Sequence, residues 1–191
     1  GIKNITAGEG GAILTSDRRL IEKMQDSRLL GVKKDTEKRA SNQRSWDFDV
    51  ESQGFRFHMS NINAAIGIEQ LKRIDFFKEK RQLIAKQYIE ILSPINEVKF
   101  LNLNYEEIVP HIFVIKVKNR DGLRDYLLKS GIECGVHYKP NHMLKMYSNP
   151  LVTLSITESL YSKIISLPCH VDLSLLEQDY VIQKIGEFYN A

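Results

Sequence analysis

The spacing of hydrophobic and polar positions changes character along the chain, and each change predicts an element. After the turn Gly8-Glu9-Gly10-Gly11, the run Ala12-Ile13-Leu14 is short, apolar and branched, and it predicts a strand. Thr15-Ser16-Asp17 then supplies capping residues, and Leu20, Ile21, Met24 and Arg28 keep one helical face until Gly31 stops it. From Val32 to Gln53 the pattern is polar and aperiodic, with Trp46, Phe48 and Val50 as its apolar anchors. Loops of this length in compact domains are functional or disordered, and the aromatic residues favour a functional loop. Ser60 or Asn61 can cap the next helix, whose stripe runs through Ile62, Ala65, Ile66, Ile68, Leu71, Ile74 and Phe77 and on through Leu83, Ile84, Tyr88, Ile91 and Leu92 to Pro94. One helix of about 30 residues, about 45 Å long, is expected there. That exceeds one small core, so the helix is expected to join two domains.

Past Pro94 the pattern predicts strands at Val98–Leu101, His111–Val117 and Glu133–Tyr138, and helices at Gly122–Ser130, Thr157–Ile165 and Leu175–Tyr189, an α+β unit. Composition narrows the class. With 42% hydrophobic residues in 191, the chain can bury one sizeable core or two small ones. A net charge of +3 spread along the chain leaves no basic stripe for nucleic acid and no polybasic membrane anchor. The dense patch Lys33 to Arg39 is mixed in sign and reads as a solvated loop. No apolar run approaches the ~18 residues of a membrane span. Cys134 and Cys169 lie far apart without C-x-x-C spacing, which suggests neither a disulfide framework nor zinc and fits a reducing, cytoplasmic setting.

Candidate chemistry begins at Lys3. A lysine beside backbone that glycine permits suits a covalent aldehyde cofactor, because the amine must reach a carbonyl where the chain passes close by. On spacing alone this is a weak signal, since most lysines are solvated surface charges.

The run Lys3-Asn4-Ile5-Thr6-x-Gly8-Glu9-Gly10-Gly11 resembles the cofactor-lysine motif of the DegT/DnrJ/StrS sugar aminotransferases, pyridoxal-phosphate enzymes that aminate nucleotide-linked keto-sugars. Three later segments are similar to that family in the same order: Gly54-Phe55-Arg56-Phe57-His58-Met59-Ser60-Asn61, Gly131 to His142 with its Gly135-Val136-His137-Tyr138-Lys139-Pro140 centre, and Ser166-Leu167-Pro168-Cys169-His170. The resemblance implies an α/β fold, the C-terminal half of a fold-type-I pyridoxal-phosphate-dependent transferase. Residues 1–93 would end the large cofactor-binding domain and carry the long connecting helix; residues 94–191 would form the small α+β domain. The start at Gly1, without Met, fits a fragment, and the phosphate-binding turn, ring-stacking aromatic and ring-nitrogen acid are expected in a half not present here.

For function, the resemblance implies a cytoplasmic homodimer that moves an amino group, from glutamate as donor, to a nucleotide-linked keto-sugar in amino-sugar or surface-polysaccharide biosynthesis. Lys3 would hold the cofactor and, once displaced by the donor, carry the proton as acid and base. Its presence favours transamination over the dehydration of relatives that lack it. The family commonly has asparagine where Arg56 stands and arginine where His58 stands. That asparagine reaches the partner subunit's cofactor phosphate, a task a guanidinium can do with a forked pair of charged bonds, and the alternative is a surface arginine on a shifted loop. His58 satisfies a backbone group or touches substrate. His137, Tyr138 and His142 offer donors and acceptors for a sugar or phosphate pocket, or serve structure, and their spacing is no metal motif. His111 and His170 read as structural, and Met143, Met146 and Tyr147 as core or helix-face residues. The competing reading is a truncated, non-catalytic fragment that acts at most as an association module.

Overall fold

The computed structural model describes residues 3–33, 41–42, 48–149 and 151–190. Trp46, Gly1 and the mixed-charge stretch from Lys34 to Arg39 lie outside the described residues. Backbone contacts separate a unit of Ile5–Lys72 from a unit formed by Lys3, Asn4 and the chain from Arg73 onward.

The Ile5–Lys72 unit is built on local signals. Helix α1 (Arg18–Ser27) starts where Asp17 Oδ1 accepts the Arg19 N–H at 2.9 Å. Helix α2 (Asn61–Leu71) starts where Ser60 Oγ accepts the Asn63 N–H at 3.1 Å, so Ser60 rather than Asn61 is the cap. Neither helix buries a residue within the chain. The strand expected at Ala12–Leu14 does not form, and Ile13 and Leu14 are exposed. A strand exists only as a partner in a ladder, and none of the described residues pairs with this run.

The other unit holds the core. Helix α3 (Ile74–Leu92) buries Phe77, Arg81, Ile84, Ala85, Tyr88 and Leu92, one stripe at helical spacing. Strands β1 (Val98–Phe100), β2 (Phe113–Val117) and β3 (Ile164–Leu167) form an antiparallel sheet in that order, with Val98 opposite Val117 and Phe113 opposite Leu167. Helix α4 (Arg120–Lys129) follows β2, α5 (Ser155–Tyr161) precedes β3, and α6 (Leu175–Asn190) ends the chain. The α6 start is a reciprocal cap: Ser174 N–H donates to Glu177 Oε2 at 2.8 Å, and Glu177 N–H donates to Ser174 Oγ at 3.2 Å. Phe113, Ile115, Leu123, Leu127, Ile165 and Ile185 are wholly buried with Tyr88 and Leu92. Side chains of this size contribute roughly 1.5–3 kcal/mol each on leaving water. Buried Gln178 ties α6 to α3 by donating to the Ile84 carbonyl at 2.8 Å.

Four further expectations are corrected. The single 30-residue helix is two, because Arg73, at φ −101° and ψ 5°, leaves helical geometry between α2 and α3. No Gly or Pro marks the break. The apolar face of α2 is exposed whereas that of α3 enters the core, so the stripes serve different surfaces; Leu83 and Ile91 are exposed and Arg81 takes a place in the buried stripe. The helix expected at Thr157–Ile165 ends at Tyr161, because Ile164 to Leu167 pair with β2. Tertiary pairing here overrides a run that also fits helical spacing. The strand expected at Glu133–Tyr138 is reduced to a single bridge between Gly135 and Ser166. The His137 ring folds back over Gly135, where a Cβ would lie 2.6 Å from His137 Cε1, and the chain leaves the sheet. Met146 and Tyr147 are exposed, which removes them from the core.

Helices α4 and α6 are joined through Glu187, whose carboxylate accepts from Tyr126 Oη at 2.9 Å and pairs with Lys184 at 2.6 Å. Bonds from Lys184, then Gln183 and Tyr126, hold that carboxyl at about 2, below its ordinary 4.5. A depressed carboxyl stabilises the fold above its unfolded value and loses that contribution as pH falls through its folded value. Wild-type stability is therefore expected to fall more steeply between pH 4.5 and pH 2 than that of Glu187→Gln, read from urea midpoints along the pH series; parallel profiles would contradict the assignment.

Candidate active site

Lys3 is exposed, and two contacts set it against the segment that enters β2. Asn4 Nδ2 donates to the Val109 carbonyl at 3.0 Å, and two residues further on Lys3 Nζ lies 3.4 Å from His111 Nε2. A protonated lysine amine can only donate, so the imidazole must accept at Nε2 and keep its hydrogen on Nδ1. Burial holds His111 below the usual imidazole value, and the positive charges of Lys3, Arg81 and His137 push it the same way. At neutral pH it is therefore an uncharged acceptor.

The backbone under His111 is fastened by α3. Gln82 Nε2 donates to the carbonyls of Glu106 at 3.0 Å and Ile108 at 2.9 Å. From the adjacent position on the same helix, buried Arg81 uses Nη1 to reach the carbonyls of Pro110 at 3.4 Å and His111 at 3.1 Å, together with that of Cys169. Asn4 Oδ1 is buried and without a hydrogen-bond partner among the described residues, an open acceptor one residue from the amine. These residues fit an aldehyde cofactor. The amine reaches solvent and meets an imidazole rather than a carboxylate, so once neutral it is free to attack a carbonyl.

His137 joins the same electrostatic neighbourhood, since its charge acts on His111. Its Nδ1 is 2.9 Å from the hydroxyl of buried Ser166, and its ring meets Tyr138 edge-on with centroids 4.8 Å apart. Tyr138 itself is exposed. His142 is differently engaged: Nε2 lies 3.0 Å from Glu158 Oε1, which also accepts the Leu154 N–H at 3.0 Å. The Leu154 amide first and His142 second hold the Glu158 carboxyl below its ordinary range. His142 thus ties the 3-10 turn Asn141–Met143 to the start of α5.

Arg56 and His58 belong to the Ile5–Lys72 unit and are exposed. The Arg56 backbone bridges Leu29, flanked by Phe55 N–H to the Ser27 carbonyl at 2.6 Å and Phe57 N–H to the Arg28 carbonyl at 2.9 Å. Phe55 and Phe57 stack with centroids 5.0 Å apart, so strand alternation sends Arg56 to the opposite side. Gly54 permits this path: a Cβ there would stand 1.9 Å from the Gly31 nitrogen. In the Gly8–Gly11 turn, Glu9 is tied to α2 by Asn63 Nδ2, which donates to the Glu9 carbonyl at 2.9 Å.

Sequence reasoning passed over Asn4, Arg81 and Ser166 and took His111 as structural. A charged residue on the stripe between Phe77 and Ile84 was the available signal for Arg81. Nothing in the spacing announced that His111 would meet a residue 108 positions earlier.

Comparison with known proteins identifies the family. The model of the DegT/DnrJ/EryC1/StrS aminotransferase family matches residues 1–186. Among solved structures, the chain is similar to PseC of Helicobacter pylori, an aminotransferase involved in the biosynthesis of pseudoaminic acid, at 28% identity and TM-score 0.82, over 98% of this chain and 51% of that one. It is similar to a DegT/DnrJ/EryC1/StrS aminotransferase of Brucella abortus at 29% identity and TM-score 0.75, over 93% and 46%. It shares the fold of the sugar aminotransferase CalS13 of Micromonospora echinospora at 24% identity and TM-score 0.83, over 97% and 49%. The chain spans about half the length of these structures.

Removing the Arg81 guanidinium would leave three carbonyls without that donor. Arg81→Met is expected to destabilise by about 1–3 kcal/mol, seen as a lower urea midpoint at unchanged slope, with Arg81→Lys recovering only part because the shorter side chain places its ammonium short of the position of Nη1. A midpoint equal to wild type would show that the clamp contributes nothing.

Proposed function

The chain belongs to the DegT/DnrJ/EryC1/StrS aminotransferase family, and on that premise we propose that the complete protein is a pyridoxal-phosphate-dependent aminotransferase that takes an amino group from glutamate and delivers it to a nucleotide-linked keto-sugar. The observation that carries this reading is the Lys3 amine, exposed and set against a neutral imidazole rather than a carboxylate. The sugar aminotransferases among its similar structures support the substrate class. Amino-sugar and surface-polysaccharide synthesis, a cytoplasmic setting, a homodimer, and a large-domain part at 1–93 with a small domain at 94–191 complete the proposal.

When bound, pyridoxal phosphate supplies an aldehyde that receives amino groups and a ring that spreads the charge left by a broken C–H bond. This chain's residues do the rest. Lys3 Nζ would hold the cofactor covalently and, when displaced by the donor, its neutral amine would accept the substrate proton and later give it back, so one group would serve as base and then acid. Arg56 offers the partner subunit's cofactor phosphate a planar pair of donors. His137, Tyr138 and His142 bind the nucleotide-sugar, with Ser166 fixing the His137 ring at Nδ1 and leaving Nε2 for the ligand, and His58 is a separate substrate-binding candidate on the Ile5–Lys72 unit.

Borohydride reduction of the complete protein with pyridoxal phosphate, followed by peptide mapping, is expected to put the label on Lys3; a label on another lysine alone would sink the assignment. A charged hydrogen bond to the phosphate is worth on the order of 1.5–3 kcal/mol, so Arg56→Ala should weaken cofactor affinity roughly 10- to 100-fold with little change in subunit association. Mixing Arg56→Ala subunits with Lys3→Ala subunits isolates the cross-subunit role. Each mixed dimer then has one site lacking both residues and one lacking neither, so activity should recover toward half of wild type per mixed dimer. No recovery, with mixed dimers confirmed by mass, would remove Arg56 from the neighbouring site.

A further inference from the structure

The Lys3–His111 contact pairs two residues 108 positions apart, and it does not stand alone. Asn4 is fixed to Val109 two residues upstream of His111, so adjacent residues of one segment bind nearby residues of the other, a double attachment rather than one chance approach. The imidazole is itself held. Its own carbonyl and that of Pro110 accept from buried Arg81, the preceding turn is bonded by Gln82, and the chain enters the core at Phe113 two residues later. A fixed ring beside a flexible four-carbon side chain restrains where the amine can be.

We propose that His111 is a positioning residue for the Lys3 amine: its uncharged Nε2 accepts a hydrogen bond from the protonated form of Lys3 and holds the proton-carrying nitrogen in one place. This rests on the reading of Lys3 as the proton carrier. A lysine that shuttles a proton between two carbons spends part of each cycle as an ammonium, and the nitrogen must then face its acceptor atom. A neutral acceptor orients that ammonium without supplying a counter-charge that would trap it, as a carboxylate would. His111 never takes the proton; the N–H of Lys3 stays on Lys3 and only its direction is constrained. The groups whose charge acts on His111 are Lys3, Arg81, beneath its own backbone, and His137. All are positive or can become so, and they keep the ring neutral where the reaction needs an acceptor. In acid the ring protonates, loses its lone pair at Nε2 and repels Lys3.

The test uses the complete protein and His111→Leu, which removes the acceptor, beside His111→Gln, which keeps one that does not titrate. Displacement of a reacting group by about 1 Å costs on the order of 100-fold. His111→Leu is therefore expected to lower kcat roughly 10- to 100-fold with KM for the amino donor within about threefold, and His111→Gln to recover most of the loss and to lack the wild-type acid limb assigned to His111. A second readout needs no bound cofactor. The His111 ring, followed by NMR, should titrate at higher pH in Lys3→Met than in wild type, because the neighbouring positive charge is gone. A wild-type protein in which borohydride and pyridoxal phosphate fail to label Lys3 would overturn the functional reading and this role with it. Labelled Lys3 together with wild-type kcat in His111→Leu, or a ring titration indifferent to Lys3→Met, would overturn the positioning role alone.

Discussion

The buried guanidinium of Arg81 is the constraint on which the geometry around Lys3 depends. It sits on the core stripe of α3, where an apolar residue would satisfy packing, and instead serves carbonyls from two separate places, Pro110 and His111 ahead of β2 and Cys169 after β3. The three carbonyls are all acceptors and cannot bond to one another, and the direct link between the two segments there is the weak donation of Cys169 Sγ to the Pro110 carbonyl at 3.9 Å. A single buried cationic donor, Arg81 Nη1, serves all three, which answers the problem that two strand ends create when they converge. Tyr88, one turn beyond the intervening pair Ile84 and Ala85, repeats the solution on a smaller scale by donating to the Pro168 carbonyl at 3.0 Å.

Placing a cation in that position has an electrostatic consequence. Arg81 adds positive potential to the backbone that carries His111, and Lys3 and His137 add to it. Burial first, and then the charges of Lys3, Arg81 and His137, disfavour the protonated imidazole, so the charge that organises the carbonyls adds to what keeps the ring an acceptor. The same burial acts on the thiols: Cys134 is pushed up to about 12 and Cys169 is raised, so both remain protonated, apolar-like side chains and not nucleophiles. Packing and charge state here have one cause.

What could be read in the sequence was what neighbouring residues decide among themselves. The cap at Asp17, the strand expected at His111–Val117 and formed from Phe113, and the final helix all follow from spacing within a few residues. The failures have a common physical origin. Ile164 to Leu167 became a strand because β2 offered an edge; Ala12 to Leu14 did not because nothing described offers one. The break at Arg73 carries no Gly or Pro, and only the change in what each helix face meets accounts for it. The candidate site divided in the same way. The glycine turn and Lys3 were legible as a motif, whereas the environment of the amine required residues 109 and 111, brought by an arginine whose position looked like a lapse in a hydrophobic stripe.

Arg56 illustrates the converse, a position whose backbone is fixed by others and whose chemistry is its own. A Cβ on Gly54 would stand 1.9 Å from the Gly31 nitrogen, and the bonds on either side of Arg56 join Phe55 and Phe57 to Ser27, Leu30 and Arg28 through main-chain atoms. No contact in this frame uses the Arg56 side chain. Relative to the asparagine common in the resembling motif, arginine therefore alters reach, charge and donor number without altering what holds the strand. An amide offers two donors on a short stem; a guanidinium offers five in a plane at the end of a long one. A role in binding an anion can be retained through such an exchange where the long, flexible stem of arginine extends to a distant anion or folds to meet a nearer one.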